Sequence, residues 1–189
     1  MLGGALSGTL AAFQLTKANV LATDPNAPAY SLAIGKARSR GVEFDLGGHL
    51  PGGIEVLVSY AYLDAEARSR MQDPNFQFQI NPGDPLVNIP RHNLAMQLAK
   101  ALTIGNRQAQ IGAGMQHLGK RLGETGSDFM LPAHTLFRVF GSVEVMDRFE
   151  LFGSVANLFD AHWYANSYSP LWVQPGAPRT GTLGLRARF

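Results

Sequence analysis

The stretch Gly41–Tyr62, GVEFDLGGHLPGGIEVLVSYAY, decides the fold. Its first arm puts Val42, Phe44, Leu46 and Leu50 on one face and Glu43, Asp45 and His49 on the other. Its second arm sets Ile54, Val56, Val58, Tyr60 and Tyr62 against Glu55, Ser59 and Ala61. Successive side chains of a strand point to opposite faces, so this alternation marks two strands, each apolar on one side. Pro51-Gly52-Gly53 between them provides a tight turn, and the whole reads as an antiparallel hairpin.

The same pattern continues outward in both directions. Upstream, Leu6–Leu15 is a less regular strand. Downstream, Leu94, Met96, Leu98 and Leu102 share a face, with Lys100 its one charged exception, opposite Asn93, Ala95, Gln97 and Ala99. Ala109, Ile111, Ala113 and Met115 oppose Gln108, Gln110 and Gln116. Phe137, Val139, Val143 and Val145 oppose Arg138, Ser142 and Glu144. Phe149, Leu151 and Val155 oppose Glu150 and Ser154, and Leu183, Leu185, Ala187 and Phe189 oppose Thr182, Arg186 and Arg188. Eight antiparallel strands are expected.

Alternation alone also fits a β-sandwich with one solvated face. The connections separate the two. Short ones lie at Pro51–Gly53, around Gly105–Arg107 and at Met146–Arg148, and long ones at Asp64–Arg91, Lys120–Leu131 and Ala161–Arg179. Transmembrane barrels have this asymmetry of tight turns at one end and extended loops at the other. Composition agrees: 46% hydrophobic residues coexist with a mean hydropathy near zero and only 16% charged residues. Strands with one lipid-facing and one polar face give that mixture, and no apolar run reaches the roughly 18 residues of a membrane helix. Tyr60, Tyr62, Trp163 and Tyr164 near outer ends, with Phe149 and Phe189 at inner ends, suit two interfacial aromatic girdles.

Other function classes find little support. There is no cysteine, and the formal charge of +2, carried by scattered residues, gives no nucleic-acid footprint. No two of the five histidines have the i, i+4 spacing of a helical zinc site. Gly112-Ala113-Gly114 lies inside a strand and is read as close wall packing, not as a dinucleotide loop. No catalytic, metal or cofactor site is expected. The opening MLGGALSGTLAAF lacks the basic and apolar regions of a secretory signal, so the chain is expected to be a piece of a longer one.

Several stretches resemble the C-terminal region of TonB-dependent siderophore receptors. They are Gly8–Val20 (GTLAAFQLTKANV) with Asp24-Pro25 and Tyr30-Ser31, Ala37–Leu46 (ARSRGVEFDL), and Ser59–Ala65 (SYAYLDA) followed by Ile89-Pro90-Arg91-His92. Further along come Gly119-Lys120-Arg121, Asn157–Asp160 (NLFD) with Trp163-Tyr164, and Pro178-Arg179-Thr180 with the terminal Phe189. The resemblance covers most of the chain in order. It implies that residues 1–189 are the last eight strands of an outer-membrane barrel of about 22 strands. The plug and the TonB-contacting segment would lie outside this chain. It further implies uptake of a ferric siderophore, partnership with the TonB complex through the missing N-terminal region, and Leu183, Leu185 and Phe189 as a signal to the barrel-assembly machinery.

Ligand contacts are expected in the outer loops, because loops on a rigid scaffold carry binding. Phe76, Phe78, Phe129, Tyr168 and Trp172 are large apolar loop residues, and Arg91 is the cation grouped with them, with Arg68, Arg70, Lys120 and Arg121 nearby. Stacking and charge-assisted hydrogen bonds would suit an aromatic or anionic chelate. The alternative is that these aromatics pack loop on loop while the basic residues meet lipopolysaccharide. Asp160 and Arg179 are expected as a rim salt bridge. A rival architecture is a complete small eight-stranded barrel with a structural, adhesive or rim-enzyme role. Gly47, Gly112, Gly114 and Gly184 on the polar face would leave space in its interior.

Overall fold

A strand that is apolar on one side still has to pair its backbone on both edges, and the sheet built here does so by chain order. The computed structural model describes residues 6–24, 26–73 and 78–188, so Phe76 and Phe189 lie outside the described residues. In chain order the strands are β1 (Leu6–Asp24), β2 (Ala27–Leu50), β3 (Ile54–Ala67), β4 (Met71–Gln72), β5 (Gln79–Ile80), β6 (His92–Ile104) and β7 (Arg107–Leu118). They continue with β8 (Arg121–Leu122), β9 (Met130–Leu131), β10 (His134–Met146), β11 (Phe149–Ala156), β12 (Tyr164–Ser169), β13 (Trp172–Pro175) and β14 (Thr180–Ala187). Eight of them form one antiparallel up-and-down sheet in the order β1-β2-β3-β6-β7-β10-β11-β14. The other six pair as three two-stranded hairpins, one in each long connection.

All eight expected strands are present. The sheet is open, with β1 and β14 as its two edges, whereas a complete eight-stranded barrel would pair them. Among the described residues no helix is long and apolar enough to cross a membrane, and the crossing element is the strand.

The register keeps the apolar residues together. One row runs across the whole sheet as Leu6, Gly48, Val56, Leu98, Ala113, Val139, Val155 and Gly181, each facing the next. The neighbouring row is Gly8, Leu46, Val58, Met96, Met115 and Phe137. Residues facing each other across antiparallel strands point to the same side, so these rows make one continuous apolar surface. From Ile54 to Tyr62 that surface extends about 27 Å along the strand at about 3.4 Å per residue, close to the apolar band of about 25 Å on transmembrane barrels. Lys100 faces Ile54 at the inner border of this band. From there its long stem can lie along the apolar face while the ammonium reaches the interface.

The polar face is filled differently from the sequence expectation. Gly112 and Gly184 do not leave open space. The ring of Phe140 covers Gly112 and the ring of Phe152 covers Gly184, each from the neighbouring strand. Arg138 lies over the Phe140 ring at 5.1 Å and Arg186 over Phe152 at 5.3 Å, a cation–π distance in both cases. Arg138 also donates to Gln97, and Arg186 and Arg188 both reach Glu150, at 3.0 and 3.3 Å. A concavity of about 660 Å³ runs along this face past Thr9, Asp45, Ser59, Gln97 and Arg138.

At the short-turn end, Gly52 (φ 85°) and Gly105 (φ 63°) take left-handed conformations that glycine adopts without a Cβ clash. The Arg107–Asp147 ion pair at 2.8 Å ties the second short turn to the third. At the long-loop end, β1 and β2 run 19 and 24 residues, well beyond the alternating segments. A register shift at Asn19 (φ 59°) bends this extension, and Ala22 packs there on Ala67 and Met71, with Val20 and Ile80 alongside.

The face assignment is open to a direct test. Val58→Arg or Val143→Arg places a charge on the apolar face near mid-strand and should destabilise the complete barrel by roughly 2–4 kcal/mol. Ser59→Arg or Ser142→Arg, one residue away on the polar face, should be far milder. Folding titrations into liposomes measure both, and equal damage from the two sets would reverse the assignment.

Candidate functional site

The three long connections meet at the outer end of the sheet, and polar side chains tie them together. Asn88, in a left-handed conformation (φ 61°) in the first connection, reaches across to Ser167 in β12. Its Nδ2 donates to the Ser167 carbonyl at 2.7 Å, and its Oδ1 accepts the Ser167 N–H at 3.0 Å. The Asn88 N–H donates to the Leu122 carbonyl at 2.8 Å, and the Ser167 hydroxyl to the Gly123 carbonyl at 2.5 Å. Arg121, buried in β8, donates through Nη2 to the carbonyls of Tyr164 at 2.6 Å and Ala165 at 2.9 Å. Desolvation draws its pKa below the usual arginine value. A two-point amide contact, a buried hydroxyl and a buried guanidinium thus hold all three loops in one arrangement.

A second set of bonds closes the last loop on itself. Asn157 (φ 48°) and Asp160 (φ 53°) shape the turn after β11. Asn157 Nδ2 donates to the carbonyls of Ala161 and Ala177, while its Oδ1 accepts the Ala161 N–H. Trp163 stacks on His134 at 4.8 Å and donates its Nε1–H to the Ala177 carbonyl at 3.0 Å. This ring, expected in an interfacial girdle, anchors the loop base. Arg179 meets Asp160 through its backbone N–H at 2.8 Å, so the contact expected as a salt bridge is a main-chain hydrogen bond.

The expected ligand residues fall into separate places. Phe78 is half-buried against Gly126, and Phe129 is half-buried over Gly123, so both pack loop on loop. Tyr168 and Trp172 are exposed, flanking the β12–β13 turn, where Leu171 is 90% exposed and Trp172 71%. Arg91 is not beside them. It lies at the end of the first long connection, within 3.9 Å of Asp64. Among the described residues there is no group of three or more His, Asp or Glu side chains arranged to hold a metal ion. Asn88, Ser167 and Leu171 were not singled out by sequence reading. Asn88 and Ser167 signal only as polar residues amid loop aromatics and Leu171 only as one more apolar loop residue, and the Asn88–Ser167 pairing spans 79 residues.

This arrangement, a membrane-spanning meander with knitted loops on one side, has clear relatives. A family model described as "TonB dependent receptor-like, beta-barrel" matches residues 1–158. The chain belongs to the TonB-dependent receptor family. It is 36% identical over 191 residues to the metal-pseudopaline receptor CntO of Pseudomonas aeruginosa, covering all of this chain and 26% of that protein. It is 28% identical to the ferrichrome outer membrane transporter/phage receptor of Escherichia coli, over 96% of this chain and 24% of the relative. Among solved structures, the siderophore receptor PiuA of Acinetobacter baumannii superposes with a TM-score of 0.79 at 19% identity, over 96% of this chain and 26% of that one. The TonB-dependent receptor segment described here thus spans about a quarter of the relatives it matches. It is an outer-membrane β-barrel wall.

The loop knot generates an expectation. In the full receptor, Asn88→Ala leaves the Ser167 N–H and carbonyl unpaired at a buried site, a loss of about 1–3 kcal/mol locally. Hydrogen exchange across residues 157–179 should rise while exchange in β7 and β10 stays unchanged. If exchange in that loop does not change, the knot does not order it.

Proposed function

We propose that this chain supplies the C-terminal strands and outer loops of a receptor that takes up a metal chelate, with a ferric siderophore as the first candidate. The observation that carries the reading is the exposed tip, with the rings of Tyr168 and Trp172 beside the aliphatic Leu171, on a last loop knotted to its two neighbours above a membrane-spanning wall. Rigid aromatic groups on a pre-ordered loop bind with little ordering entropy. The names of the relatives, receptors and transporters for ferrichrome, pseudopaline and other metal carriers, support transport without catalysis. The name metal-pseudopaline receptor, which says metal and does not specify iron, favours a second reading in which the chelated metal is another ion. In the complete protein, gating would belong to a plug inside a barrel of about 22 strands, and coupling to the TonB complex to its N-terminal region.

The test uses the full-length receptor and Trp fluorescence quenching against a panel of ferric siderophores and other metal chelates. Tyr168→Ala and Trp172→Ala should each weaken binding of the recognised chelate about tenfold, or about 1.4 kcal/mol. Unchanged affinity in both variants would remove the aromatic tip from recognition.

Leu183 and Leu185, both exposed on the apolar face of β14, fit the reading of this strand as an assembly signal completed by Phe189. Deleting Phe189 in the full-length receptor should lower its abundance in the outer membrane. Undiminished abundance counts against recognition of this strand by the barrel-assembly machinery.

A further inference from the structure

One cluster of charge lies outside the knotted loops, and its side of the wall is the informative feature. Arg38 and Arg40 of β2 have the same parity as Val42, Phe44 and Leu46, and they face Glu66 and Asp64 of β3 in the register. They therefore project on the apolar, lipid-facing side, in the two residue pairs just above Val42–Tyr62. The residues immediately below mark the interface. Tyr62 and His92 pack at 5.2 Å, and the Tyr60 hydroxyl meets His92 Nδ1 at 2.8 Å, rings of the type that settle at headgroup level.

Four arginines share the two carboxylates. Arg38 and Arg68 reach Glu66 at 2.5 and 2.9 Å, while Arg40 and Arg91 reach Asp64 at 2.9 and 3.9 Å. The acids are tucked underneath, with Asp64 and Glu66 side chains 19% and 16% exposed, whereas those of Arg40, Arg68 and Arg91 are 52%, 46% and 65% exposed. The carboxylates hold the guanidinium groups in place, and what faces the membrane exterior is positive. The Nε–H of Arg38 is buried with no acceptor among the described residues. Ion pairing alone does not require two surplus cations on the lipid side of the wall. A phosphate at headgroup height accepts such donors in pairs.

We infer that Arg38, Arg40, Arg68 and Arg91 form a site for the phosphate groups of lipopolysaccharide, the anionic glycolipid of the outer leaflet, on the outside of the barrel between β2 and the loop end of β3. The site rests on the outer-membrane placement of the sheet and is separate from chelate recognition. Its headgroup phosphates sit against Arg40, Arg68 and Arg91 while the acyl chains lie below on the apolar rows of β2, β3 and β6. Bound lipid fixes the outer ends of these strands at one depth in the membrane.

The test is made on the full-length receptor purified from outer membranes. Arg40→Gln/Arg68→Gln leaves each carboxylate a partner, Asp64 with Arg91 and Glu66 with Arg38, so the wall keeps its pairing. Lys17→Gln/Arg138→Gln removes the same charge from the opposite face and serves as the control. Native mass spectrometry should find lipopolysaccharide on the wild type and on the control, reduced at least fivefold on the Arg40/Arg68 variant. After delipidation, the wild type should bind intact lipopolysaccharide at least tenfold more tightly than the form stripped of its lipid A phosphates, and the variant should lose that preference. Equal retention by variant and wild type, no preference for the phosphorylated form, or equally tight binding of phosphatidylglycerol would each overturn the assignment. Heat-resistant mobility on unheated gels is recorded for every variant. A receptor that never reached the membrane fails there, which separates failure of the membrane placement from failure of the lipid site.

Discussion

Inside hydrocarbon no water is available to pair a backbone N–H or C=O, and each one left open costs several kcal/mol. The rest of this structure depends on that requirement. It explains why every neighbour in the sheet is the next wall strand in the chain, joined through a turn or loop placed outside the apolar band. It also explains where the eleven prolines sit. Among the described residues none lies in the membrane-crossing part of a strand: Pro51 opens an inner turn, and the other described prolines lie in outer loops or beyond the crossing segments, as Pro28 does at the outer end of β2. Once the ladder is unbroken, register becomes stringent. A slip of one residue of β2 against β3 would turn Glu43 and Asp45 toward lipid and Val42 and Phe44 inward.

Polar groups on the other face are subject to a softer form of the same rule. They may meet water or protein, yet the wall fills its own gaps where it can. Phe140 over Gly112 and Phe152 over Gly184 cover backbone that a glycine leaves bare, and an arginine caps each ring. The glycines allow the rings to lie flat along the sheet, and the rings in turn give Arg138 and Arg186 a fixed position from which to reach Gln97 and Glu150. Glu144 and Glu150 face one another across β10 and β11, a repulsive pair that Arg186 and Arg188 offset by converging on Glu150.

Sequence made the wall legible because lipid on one side imposes a period of two, and the eight alternating segments became the eight wall strands. It failed where that asymmetry ends. Residues Thr16–Asp24 and Ala27–Arg40 are strand as well, but both faces there are outside the lipid, so no apolar period marks them. The hairpins within the loops are too short to carry a pattern. The site was legible only as an inventory. Aromatic and basic loop residues were visible, but their sorting was not: Phe78 and Phe129 turn inward to pack, Tyr168 and Trp172 turn out, and Arg91 joins a different cluster. That sorting is decided by long-range hydrogen bonds such as Asn88 to Ser167, which leave no local trace in the chain.

The parity that separates lipid from lumen does not stop at the membrane surface. Because β2 and β3 continue in register above Tyr62, the alternation still sends Arg38, Arg40, Asp64 and Glu66 outward. What changes is only the medium those positions meet, from acyl chain to headgroup, and the residue type changes with it, from valine and phenylalanine to arginine. The loops, by contrast, leave the ladder at the outer end of the wall, and they need their own polar bonds to stay ordered. A single strand extension therefore serves two surfaces at once: its register presents cations outward, and its end, through Ala22 on Ala67 and Met71, gives the first loop a foundation. Weakening the ladder above the membrane would disturb both, whereas a change to either set of side chains need disturb only one.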